Sequence, residues 1–196
     1  MPSPPDLRTR IGLLEEELPP VSTRFRIHEA LPYAVFRYEP DQEWELRREV
    51  NLLRTRLEQK GVDARIISLA DLLWEAVDTI EGIDAIVDLE REYGFEAAQD
   101  QVHTYLSDED FAPLPAALAE RLNAMDSDRG LGLIVRAASL APEIFPVSQL
   151  LERMQGLSRT PAVLFYPGTL EGTNRLRFMG LPDRETFGSY RVKIYA

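Results

Sequence analysis

Ala64-Arg-Ile-Ile-Ser-Leu-Ala-Asp-Leu-Leu-Trp-Glu-Ala-Val-Asp-Thr-Ile80 changes its hydrophobic period at Ser68. Up to Ser68 it is a short β-branched run; after it, Leu69, Leu72, Leu73, Ala76 and Ile80 recur at helical spacing and line one face. A strand that runs straight into an amphipathic helix is one βα unit. The preceding stretch predicts another. Tyr33 to Tyr38 (YAVFRY) is a mostly apolar strand, followed by a helix over about Asp41 to Lys60 with Leu46, Val50, Leu53 and Leu57 on one face and Gly61 as its stop.

Toward the C-terminus the alternation resumes after an interruption. From about 82 to 126 there is no strand pattern. Ile83, Ile86 and Val87, then Phe95, Ala98, Val102 and Leu106, then Leu114, Leu118, Leu122 and Met125 each keep helical spacing, which predicts a helical insertion. Leu131 to Arg136 is a third strand. It is followed by a helix carrying Val147, Leu150, Leu151 and Met154, closed by Gly156, and then by a fourth strand, Ala162 to Tyr166. Four short apolar strands separated by helices imply an α/β fold, with a mainly parallel sheet covered by helices on both faces. The ending differs. Arg175-Leu-Arg-Phe178 and Arg191-Val-Lys-Ile194 alternate polar with apolar residues, as half-exposed strands do, and predict a C-terminal antiparallel edge. If those two strands pair, Arg175, Arg177, Arg191 and Lys193 form a basic stripe; the alternative is that the charges protect an edge from aggregation. Residues 1–31 read as an N-terminal arm. Five prolines surround one helical stretch, Leu7 to Leu18, that is too short to be stable unless it docks. Residues 32–196 read as one domain.

Composition narrows the function classes. The 196 residues are 44% hydrophobic, enough for a sizeable core, and contain no Cys, which excludes disulfides, thiolate nucleophiles and Cys-ligated metals. The N-terminus has no apolar signal region, and the longest greasy stretch, 130–142, is interrupted by Arg136, so the expectation is a cytoplasmic protein with no membrane span. The net charge of −11 is not spread evenly. Between Glu75 and Asp110 twelve acids face one base, Arg91, so this segment carries the whole excess and the rest of the chain is balanced. Glu90, Glu92, Glu96, Asp108, Glu109 and Asp110 belong to it. Such a segment repels phosphates at close range; it is either a solvated helix face or a docking surface for a basic partner.

Most candidate chemistry fails on spacing. Gly168-Thr-Leu-Glu-Gly-Thr-Asn174 follows a strand, where phosphate loops sit. It is nevertheless one residue short of a P-loop, lacks the Lys, carries Glu171 and leads into a strand rather than a helix. A glycine-dependent turn is the simpler reading. Pro182-Asp183 and Lys193 superficially resemble a nuclease metal site, but Arg191 stands where its second carboxylate belongs. His28 and His103 form no ligand pair, no Ser lies in GxSxG, and Ser107-x-x-Asp110 reads as a helix-start cap. Trp44 and Trp74 lie on predicted helices and read as core or interface anchors. No catalytic residue, metal site or cofactor is assigned.

Several strings carry a family resemblance. Ile67-Ser-Leu-Ala-Asp-Leu-Leu-Trp-Glu75, Glu90-Arg-Glu-Tyr-Gly-Phe-Glu96, Tyr105-Leu-Ser-Asp-Glu-Asp-Phe111, Phe165-Tyr-Pro-Gly-Thr-Leu-Glu-Gly-Thr-Asn-Arg-Leu-Arg-Phe-Met-Gly180 and Gly188-Ser-Tyr-Arg-Val-Lys-Ile-Tyr195 resemble the BrxB family. BrxB proteins are small components of BREX (bacteriophage exclusion) systems, and the likeness spans about residues 32–195. It implies a role in an assembly that methylates host DNA and blocks unmethylated phage DNA. It also implies a non-catalytic part there, with a PglZ-type protein as the first expected partner and the AAA-type ATPase or the methyltransferase as others.

The resulting expectation is an adaptor subunit. Its contacts are placed at Tyr166, Gly168, Thr169, Glu171, Asn174, Arg175, Arg177, Arg191 and Lys193, with the acidic insertion as a second surface. The alternatives are a DNA-binding module using the basic stripe, and a nucleotide-binding or hydrolytic domain with its site near Ser68, Arg136 and Gly168.

Overall fold

Residues 5–18, 33–126, 128–141, 143–171, 175–180, 186–188 and 193–195 are described by a computed structural model. Their elements run α1 (Leu7–Glu17), β1 (Tyr33–Tyr38), α2 (Glu43–Gln59), β2 (Asp63–Ser68), α3 (Leu69–Ile80), α4 (Ile83–Tyr93), α5 (Phe95–Ser107), α6 (Leu114–Asn123), β3 (Gly130–Val135), α7 (Val147–Arg153), β4 (Ala162–Glu171), β5 (Arg175–Phe178), β6 (Thr186–Gly188) and β7 (Lys193–Tyr195). Strands pair in the order β2-β3-β4-β1-β7, all parallel, while the far half of β4 pairs antiparallel with β5, and β5 with β6. The α/β class and the helix-covered parallel sheet read from the sequence are the observed ones.

Alternation along the strands splits the interior into two layers. Ala34, Phe36, Tyr38, Ala64, Leu131, Leu133, Val135, Val163 and Phe165 face α1 and α2. Tyr33, Val35, Ile67, Ile134, Ala162, Leu164 and Tyr166 face α3, α5, α6 and α7. Glycine lets a helix sit close: a Cβ on Gly132 would lie 2.4 Å from Leu122 Cδ2 of α6, so that side chain would have to shift. Helix α1 docks as its length demands. Asp6 caps it by accepting from the Thr9 N–H, and Leu7, Ile11, Leu14 and Leu18 are buried against the sheet and α2. Glu15 accepts from Arg56 (2.5 Å) and Lys60 (2.6 Å) of α2.

The turn feeding β3 is held by one carboxylate. Asp126 Oδ1 accepts from the backbone N–H of Asp128 and of Arg129, both 2.9 Å, while Oδ2 accepts from the Arg129 guanidinium at 2.8 Å. Its own N–H donates to Asp63 Oδ2 on β2 (3.0 Å). Arg129 and the two backbone donors hold the Asp126 carboxyl down at about 2. A lowered carboxyl pKa adds stability above the unfolded value and loses it as pH falls through the folded one. Asp126→Asn is therefore expected to melt below wild type at pH 6, with the gap closing between about pH 4 and pH 2. Melting temperatures across that range check it, and a gap independent of pH refutes it.

Several local expectations are corrected. The predicted Gly168 to Asn174 loop is strand as far as Glu171, because β5 supplies a partner for β4 beyond the parallel sheet. Among the described residues the two alternating segments at the end do not pair with each other: β5 joins β4, and β7 runs parallel to β1, so Arg175 and Arg177 of the expected stripe stand in a different place in the sheet from Lys193, while Arg191 lies outside the described residues. Ser107 closes α5, and α6 starts after Pro113 with no side-chain cap, so Ser107 and Asp110 do not cap a helix start. Asp110 N–H instead donates to Asp108 Oδ1 within the turn. Trp44 and Trp74 are exposed, 78% and 50%, and are not core.

Candidate functional site

Connections reverse their winding at the centre of the sheet. The chain leaves β1 over the face of α1 and α2, and leaves β2 and β3 over the opposite face. In doubly wound sheets the crevice at the strands' carboxyl ends, where the winding reverses, is the usual ligand position. Here β4 lies between β1 and β3 at that position and does not stop. Tyr38, the last residue of β1, pairs with Pro167, and β4 continues to Glu171 as one side of the β4-β5-β6 ribbon.

Gly168 makes that ribbon possible. A Cβ there would stand 2.3 Å from the carbonyl oxygen of Arg177 and 2.7 Å from Tyr166 Cε1. Backbone cannot yield to such an overlap, so the glycine serves close strand approach rather than a phosphate cradle. Tyr166 is 1% exposed, and its ring packs on Phe178 at 5.4 Å. Leu176 is buried in the same cluster. Thr169 pairs with Arg177, and Glu171 with Arg175. Tyr166 and Gly168 thus shape the ribbon from inside it. Asn174 and Arg191 lie outside the described residues, as do Pro182, Asp183 and His28. Lys193 sits apart on β7, where it donates to Glu17 of α1, a bond that raises its pKa and lowers that of Glu17.

The residues of the nucleotide alternative are engaged locally. Ser68 Oγ caps α3 by accepting from the Asp71 N–H at 3.2 Å, and Arg136 donates to Asp71 Oδ1 at 3.4 Å. Arg136 adopts φ 61°, ψ 36°, left-handed backbone at the end of β3, and its carbonyl accepts from Ser139 Oγ at 2.8 Å. His103 donates from Nδ1 to the Ile144 carbonyl (3.0 Å) and accepts at Nε2 from Ser107 Oγ (3.3 Å), so it fastens α5 to the segment before α7. Among the described residues no group of three or more His, Asp or Glu has metal-binding geometry, and no helix is long and apolar enough to cross a membrane.

The insertion forms a second surface. Glu90 and Glu92 on α4, Glu96 on α5, and Asp108, Glu109 and Asp110 in the following turn are all exposed. Beside them lie Ile83, Tyr93 (67% exposed) and Phe95 (59%), while Ile86 is the buried anchor of α4. The acidic character is plain in the sequence. The exposed apolar side chains among the acids are not, because the same spacing also describes a buried stripe.

No curated protein and no solved structure matches the chain. The family model described as BREX protein BrxB matches residues 65–194. The match begins inside β2 and leaves out β1, yet β1 lies between β4 and β7, so the matched strands close into one sheet only with residues 33–38. With the matched segment covering most of the sheet, all of the acidic insertion and the whole ribbon, the chain belongs to the BrxB family and is a component of a BREX phage-defence system.

Proposed function

We propose that this BREX component is a non-catalytic adaptor whose C-terminal ribbon docks a PglZ-type protein, with the acidic insertion as a second contact surface. The observation that carries the reading is β4's continuation beyond Pro167, which raises an ordered ribbon with Arg177 at the carboxyl end of the sheet, where an enzyme of this architecture would keep an open crevice. Exposed Tyr93 and Phe95 on the insertion suit anchoring into a partner, since aromatic side chains supply much of the affinity at interfaces. Charges on both surfaces set orientation and association rate.

The test is a tagged co-purification from cells carrying the whole operon, with nuclease added. Reversing Arg175 and Arg177 to Glu is expected to lower recovery of the PglZ-type protein at least about tenfold, or ~1.4 kcal/mol. Stability should stay within about 0.5 kcal/mol of wild type. Unchanged capture by a folded variant refutes the assignment. The DNA alternative loses support from the division of the basic stripe. It would regain it if the eluate held nucleic acid alone, with affinity falling by about 0.9 log units per neutralised phosphate for each log unit of salt.

A further inference from the structure

Helices α4 and α5 meet at a single residue. Gly94 caps the end of α4 and the start of α5; its φ of 92° favours glycine, and its N–H donates to the Glu90 carbonyl at 2.8 Å. Tyr93 therefore ends one helix and Phe95 begins the next, so helical backbone carries both rings on either side of one turn. Every residue from Glu90 to Glu96 is exposed. Ile86 is the buried residue of α4, and the two large rings at its far end are left in water, as at a surface meant to be covered.

The charges at this corner do not serve the helix that carries them. Glu90 and Glu92 lie in the last turn of α4, where the partial negative charge of the helix end disfavours a carboxylate. Acids that served solubility alone would cost less in the first turn. Among the described residues no base is paired with Glu90, Glu92 or Glu96, and the neighbouring Arg91 donates to Asp88 at 3.2 Å.

Rings and carboxylates here complement the same ligand. A guanidinium or ammonium meets a carboxylate by a charge-assisted hydrogen bond, lies over an aromatic face, and brings an aliphatic stem that covers apolar surface. Phosphates are repelled by the same acids, which sets aside nucleic acid and anionic membranes as occupants.

We propose that the Glu90 to Glu96 corner docks an arginine- or lysine-rich segment of a partner protein, with Tyr93 and Phe95 against its cationic side chains and Glu90, Glu92 and Glu96 meeting their charge. The inference rests on the insertion being a contact surface and names the chemistry that this surface takes. Arginine suits the corner best, because its planar guanidinium stacks on a ring while bonding a carboxylate.

The test uses the full chain alone, with a labelled Arg-Gly repeat peptide as the probe and fluorescence anisotropy as the readout. Wild-type protein is expected to bind it and not a Glu-Gly repeat of equal length. Tyr93→Ser with Phe95→Ser leaves the charge unchanged and should weaken binding at least about tenfold. Glu92→Gln with Glu96→Gln should weaken it at least about threefold, whereas Glu16→Gln with Glu152→Gln, an equal loss of charge at exposed positions on α1 and α7, should change it less than about twofold. All these side chains are exposed, so Tm should stay within about 2 °C of wild type. No binding by wild type overturns the proposal. An unchanged affinity in the aromatic pair, or equal weakening by the two pairs of acid substitutions, overturns it too, since either means attraction by net charge alone. A short DNA duplex as second probe should not bind; binding that the aromatic pair loses overturns the choice of a protein partner. The adaptor role is judged separately, by capture from the operon, so absent peptide binding with intact capture of the PglZ-type protein refutes this inference alone.

Discussion

Phe165→Ala is expected to cost ~3–5 kcal/mol of folding free energy, the range for removing a fully buried aromatic ring. Phe165 is 0% exposed on β4, which lies between β1 and β3, and its ring meets Phe36 of β1 with centroids 5.5 Å apart. It belongs to the layer that α1 and α2 cover. Strands pinned on both sides cannot collapse into the space left behind, so little of the cavity is recovered. Urea denaturation should show a lower midpoint with an unchanged slope, and thermal melting a drop of about 10 °C. A loss below ~1 kcal/mol would mean that this layer is not packed as described.

Leu14→Ala should cost ~2–4 kcal/mol, and this second result decides how much α1 matters. Leu14 is fully buried near the middle of the α1 stripe, between the sheet and α2. An eleven-residue helix has too little intrinsic stability to persist without that packing. Truncation is therefore expected to free α1 and expose the layer containing Phe36 and Phe165, with added proteolysis within residues 5–18. If α1 were an appended arm in the energetic sense, the cost would fall below ~1 kcal/mol and the cleavage pattern would not change.

Different parts of this molecule were legible to different degrees. The α helices of the body were visible because hydrophobic spacing is local: α2, α3, α5 and α6 lie close to where Leu46, Leu72, Val102 and Leu118 place them. The candidate contact positions were legible as a motif, but their burial was not. Tyr166 reads as the last residue of a strand and Gly168 as a loop residue until β5 is seen to lie against them. Arg10 gave no signal at all, since a basic residue on a short helix reads as solvated until the face it occupies is known.

The amino-acid sequence by itself determined the succession of βα units, the acidic insertion, the absence of thiol chemistry and the family resemblance, because each depends on nearest neighbours or on composition. Tertiary structure alone decided that β7 runs parallel to β1, that β4 continues into a ribbon, and that α1 carries a cation into the core. The reason is physical. Alternation along a strand says which side chains face the interior, whereas its hydrogen-bonding edge is a row of identical backbone groups, and only the packing of the rest of the chain selects the strand that completes it.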